Sequence, residues 1–104
     1  MKEIIEGIKV LATKELISAN NKFPMFQSTH EGYAVLLEEV EEVVEQLRNV
    51  EEVLSYAWGN IRRNRKENTI KCIKELREFA IKMAAESIQV IAMTDKFIDS
   101  ELNQ

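Results

Sequence analysis

The stretch Leu36-Leu37-Glu38-Glu39-Val40-Glu41-Glu42-Val43-Val44-Glu45-Gln46-Leu47 lays two patterns on one helix. The apolar pattern decides the fold. Leu36, Val40, Val43, Leu47, Val50, Leu54, Ala57 and Ile61 recur at alternating spacings of four and three, the seam of a helix packed lengthwise on other helices, as in a bundle. The second pattern is acidic. At ~100° per residue, Glu39 lies roughly 70° from the centre of the apolar stripe, Glu42 roughly 130° away on the same side and Glu38 roughly 170°. Glu41 and Glu45 point outward. Like charges at these spacings destabilise a helix by about 0.2–0.5 kcal/mol per pair, and no Lys or Arg lies between residues 31 and 47 to offset them. Such a face is either fully solvated or holds a cation. Hard divalent cations take oxygen ligands and suit clustered carboxylates. Spacing alone leaves both readings open.

Upstream, Ser28-Thr29-His30-Glu31 matches a capping box, with Ser28 accepting from the Glu31 amide and Glu31 reaching back to the Ser28 amide. The helix that carries the stripe therefore begins here. Before it, Lys22-Phe23-Pro24-Met25-Phe26-Gln27 reads as a loop around the only proline, whose large apolar side chains either pack on the core, the commoner fate of such residues, or line a ligand pocket. Residues 2–20 form a first helix, since Ile4, Ile5, Ile8, Leu11, Ala12 and Leu16 recur at helical spacing. Downstream, the basic run Arg62-Arg63-Asn64-Arg65-Lys66 complements the dipole at the end of the second helix. A third helix, capped by Asn64 or Asn68, is expected over residues 69–97. Between Phe79 and Met93 it is apolar on nearly every side. A helix apolar all round is buried all round, which in so short a chain implies burial against a second copy. Lys82, Glu86, Ser87 and Gln89 are the polar residues of that segment. Glu86 either pairs with Lys82, one turn before it, or joins a metal site, because a buried carboxylate is costly without a partner.

Composition narrows the class. The 104 residues make one domain, 1–104, with 45% hydrophobic and 31% charged residues, a globular balance. Three Gly and one Pro leave little material for turns, so long helices with few connections are expected. A net charge of −4 argues against stable nucleic-acid binding. Cys72, alone, forms no internal disulfide and reads as a packed thiol in a reducing compartment, which makes cytoplasmic the expected location. Glu3 and Glu6 break the first ten residues as a signal peptide, and no run reaches the ~18 apolar residues of a membrane span. His30 reads as part of the helix start and Trp58 as core.

Phe23-Pro24 followed by His30-Glu31-Gly32-Tyr33-Ala34-Val35-Leu36-Leu37-Glu38-Glu39-Val40-Glu41-Glu42 resembles the start of the MazG-like, all-α nucleotide pyrophosphohydrolases, closest to the short phage and prophage members. That family carries E-E-x-x-E on one helix and E-x-x-D on the next. Glu38, Glu39 and Glu42 fill the first motif, and Glu86-Ser87-Ile88-Gln89 best matches the second, with Glu75 and Glu78 ranked behind it. The resemblance spans roughly residues 23–99. It implies an all-α fold of three main helices whose bundle is completed by dimerisation, as a dimer or a dimer of dimers. It implies Mg²⁺ or Mn²⁺ held by Glu39, Glu42, Glu86 and Gln89, with Glu38 orienting the attacking water. The implied reaction cleaves a nucleoside triphosphate into the monophosphate and pyrophosphate. Lys82 or Lys96 would contact the triphosphate, and Phe26 and Tyr33 would stack on the base. Gln89 stands where the family has Asp, so a neutral carbonyl replaces one anionic ligand. A catalytically inactive helical interaction module on the same fold is the alternative.

Overall fold

A computed structural model describes residues 1–102. The described residues form three helices, α1 (Lys2–Lys22), α2 (Thr29–Arg62) and α3 (Lys66–Leu102), and contain no strand. The expected all-α class holds. The described residues divide into two compact units, one made of residues 1–41 with 86–102 and the other of residues 42–85. Both α2 and α3 run unbroken through the division.

In the first unit, α1, the opening turns of α2 and the last turns of α3 surround a small core of Phe26, Ala92 and Met93. Leu16, Ala19, Val35, Leu36 and Phe97 pack against it, and Ala12 is buried on α1. The loop after α1 enters this core through Phe26, which is 4% exposed. Its backbone N–H donates to Ser100 Oγ at 3.0 Å, and Ser100 in turn donates to the Lys96 carbonyl at 2.7 Å. Phe23 departs from the commoner of the two fates expected for this loop. At 64% exposed it does not pack on the core, because the extended backbone that follows the α1 cap carries its ring outward. The capping box forms in shifted register. Ser28 Oγ accepts from the Glu31 amide at 3.1 Å, but the Glu31 carboxylate accepts from the Gln27 amide at 3.0 Å, one residue earlier than the expected Ser28.

The second unit is a helical hairpin. Its turn closes with the amide of Arg65 donating to the Asn60 carbonyl at 2.9 Å and that of Asn64 to the Ile61 carbonyl at 3.1 Å. This pair of bonds is a Schellman closure, and Asn64 takes its left-handed position with φ 56°. Asn64 therefore ends α2 rather than capping α3. The helix α3 starts three residues earlier than expected, with the Thr69 amide bonded to the Arg65 carbonyl. Val53 and Ala57 are buried in this unit, while Leu47, Leu54 and Ile61, which share the apolar stripe with Ala57, stay 42–54% exposed. Two helices cover only one flank of so wide a stripe. Trp58 is likewise 58% exposed, its ring under the Arg62 guanidinium at 5.9 Å, and is not core. Ile81, within the segment expected to be buried all round, is 48% exposed.

Candidate metal centre and adjoining cavity

Helix α2 carries Glu39 and Glu42 one turn apart, and α3 carries Glu86 and Gln89 one turn apart. Each of Glu39, Glu42 and Glu86 offers a carboxylate oxygen, and these atoms lie within 4.8 Å of one another. Glu39 and Glu86 are half-buried and Glu42 is exposed. The Glu39 Oε2 atom is shielded from solvent. Three carboxylates at this separation repel strongly, and more so where burial lowers the local dielectric. A divalent cation relieves that repulsion. The donor set is all oxygen and anionic, which fits Mg²⁺ or Mn²⁺ and not a soft metal that seeks thiolate.

Gln89 is oriented by a residue that sequence reading gave no hint of. Its amide donates to the Glu15 carboxylate of α1 at 2.7 Å, across 74 positions of chain. The amide nitrogen is thus committed, and only the carbonyl oxygen of Gln89 remains as a neutral metal donor.

Beside the carboxylates, the first unit contains a cavity of about 540 Å³. Phe23, Phe26, Glu38, Glu39, Gln89 and Lys96 contribute to its walls. Its volume falls in the usual range for a small-molecule site. Lys96 is the unusual wall. It is 2% exposed, and its Nζ sits 5.1 Å from the centroid of the Phe26 ring. A buried ammonium is costly without a counter-charge.

The structure thus gathers seven of the expected site residues. Glu39, Glu42 and Glu86 form the trio, and Glu38, Gln89 and Lys96 line the cavity with Phe26. Phe26 differs from its expected use, since it is buried and one neighbour of its ring is the Lys96 cation. Tyr33 is 64% exposed and lines a separate groove with His30 and Phe97. Lys82 belongs to the hairpin unit, where its Nζ lies 5.7 Å from the Phe79 ring. Ser100 and Glu15 were not foreseen, because neither belongs to a local motif and each acts on a residue 74 positions away.

Comparison of the chain with family models, curated proteins and solved structures gives no match. No helix among the described residues is long and apolar enough to cross a membrane.

Proposed function

We propose that the chain is a MazG-like, Mg²⁺- or Mn²⁺-dependent nucleoside triphosphate pyrophosphohydrolase, releasing the monophosphate and pyrophosphate. The observation that carries this reading is the pairing of a three-carboxylate cluster with a buried lysine in the adjoining cavity. Carboxylates recruit a divalent cation and a buried ammonium recruits an anion. A polyphosphate is the ligand that satisfies both at once. The resemblance of Glu38-Glu39-Val40-Glu41-Glu42 and Glu86-Ser87-Ile88-Gln89 to the family motifs supports the same conclusion.

Glu39, Glu42 and Glu86 would hold the cation, with the Gln89 carbonyl as a neutral fourth donor fixed by Glu15. When bound, the cation supplies polarisation of the phosphoryl oxygens and a water of lowered pKa. Lys96 holds negative charge on the phosphate chain, and its burial strengthens that attraction by excluding water. Glu38, on the cavity wall next to Glu39, accepts a proton from the attacking water. The exposed flank of α2 and α3, with Leu47, Leu54, Ile61, Ile73 and Ile81 uncovered, supports self-association into a dimer or a dimer of dimers. The same flank favours the second reading, a non-catalytic interaction module.

Thermal melting with and without millimolar Mg²⁺ or Mn²⁺, on the native chain and on Glu39→Gln, separates the two. A cation present at ten times its Kd adds about 1.4 kcal/mol to stability, or a Tm rise of ~5 °C or more for a domain of this size. The rise is expected in the native chain and not in Glu39→Gln, whose metal-free Tm should match or exceed the native value because one repulsive charge is gone. Release of pyrophosphate from deoxynucleoside triphosphates then checks the bond cleaved. Absence of any cation-dependent shift would leave the interaction module standing.

A further inference from the structure

We infer that Phe23 is the stacking platform for the nucleobase, at the opening of the cavity that holds Lys96. This rests on the proposed reading of that cavity as a nucleotide site. The loop between α1 and α2 contains two phenylalanines with opposite fates. Phe26 is buried and sits under the Lys96 ammonium. Phe23 is 64% exposed, yet it forms part of the same cavity wall as Lys96, Glu38, Glu39 and Gln89. The core does not use its ring.

The exposed ring is held on a fixed backbone. The Phe23 amide donates to the Ala19 carbonyl at 2.9 Å and closes α1, and Phe23 itself is extended at φ −134°, ψ 145°. Pro24 follows, which disfavours any helical alternative for Phe23. Two residues further on, the bond from the Phe26 amide to Ser100 Oγ anchors the loop to α3. A planar apolar group so anchored loses little entropy when a second planar group stacks on it. The rest of the wall selects which planar ligand fits. Lys96 calls for an anion and the carboxylates for its cation, so the aromatic part belongs to a phosphorylated molecule, a nucleotide rather than an apolar aromatic. Stacking on one face is tolerant of base identity, so Phe23 sets affinity for bases as a class.

The test compares binding of Mg²⁺-bound α,β-imido deoxynucleoside triphosphates with binding of inorganic tripolyphosphate, by calorimetry on the full chain. Phe23→Ala is expected to raise the Kd of the nucleotide analogues about tenfold and to leave that of tripolyphosphate unchanged. Phe23→Trp should restore or tighten nucleotide binding. Equal weakening of both ligands by Phe23→Ala would assign the ring a structural role, and no change in either would place the base elsewhere. A loss of oligomeric mass in Phe23→Ala, with nucleotide affinity retained, would show that a second copy covers the ring. Each of these three results overturns the inference while leaving the phosphate site intact. If the native chain binds neither ligand, the nucleotide reading itself fails, and the role of Phe23 with it.

Discussion

At the scale of single residues, the first unit depends on small side chains placed where larger ones would collide. Gly32 is buried on α2, and a Cβ there would meet Phe97 Cε2 at 2.7 Å and Phe26 Cδ2 at 3.1 Å. Alanine would add helix propensity worth about 1 kcal/mol, but overpacking costs roughly 1–3 kcal/mol. Gly32→Ala is therefore expected to lower the Tm by several degrees, measured by circular dichroism in the absence of metal. Ser100 has the opposite task of filling a polar need. Its hydroxyl accepts from the Phe26 amide and donates to the Lys96 carbonyl, and the residue is 1% exposed. Ser100→Ala leaves a buried N–H without its acceptor, at a cost of about 1–3 kcal/mol. Because the same bond anchors the loop that carries Phe23 and Phe26, this variant should also weaken ligand binding in the cavity. Ser100→Thr, which keeps the hydroxyl, should retain more of both than alanine does.

At the scale of elements, the helices were legible in the sequence to a degree that follows from how each end is made. The start of α2 was readable because Ser28 and Glu31 act over three residues. Its end near residue 61 was readable from the stripe and the basic run, but the part Asn64 plays there was not, because the Schellman closure at Asn60, Ile61, Asn64 and Arg65 uses backbone groups and only one telling side chain. Asn64 tolerates the left-handed conformation better than a residue without a local polar side chain. Asn64→Ala should accordingly destabilise the hairpin by about 1 kcal/mol while Asn64→Gly is neutral or stabilising, as read from urea midpoints. The carboxylate trio shows the same divide. Glu39 and Glu42 were visible as an i, i+3 pair, and Glu86 as an acid within an apolar segment. The Glu15–Gln89 bond and the outward turn of Phe23 were invisible, since the first joins distant helices and the second depends on how far one loop reaches.

For the whole molecule, the question is what covers the apolar flank that one copy leaves open. Periodicity places Leu47, Leu54 and Ile61 in the same stripe as Ala57, and of these four only Ala57 is buried. On α3, Ile70, Ile73 and Ile81 are between 44% and 48% exposed. A single exposed leucine is ordinary, but a row of them along paired helices is the mark of an interface. The flanking charges are suited to a second copy. Between residues 42 and 62, α2 carries four acids and two bases, and between residues 66 and 85, α3 carries five bases and three acids. Two hairpins laid antiparallel would set acidic edges near basic ones, giving register and partner choice more than raw affinity. Leu54→Glu places a charge in the middle of this flank without touching Val53, Ala57 or the cavity. Light scattering should find the native chain as a dimer or larger and Leu54→Glu shifted toward the monomer, with the shift growing on dilution. The Tm of the native chain should rise with protein concentration and that of Leu54→Glu should rise less, because association stabilises the folded state by mass action. A native chain that is monomeric at all concentrations would refute self-association and leave the open flank to a different partner.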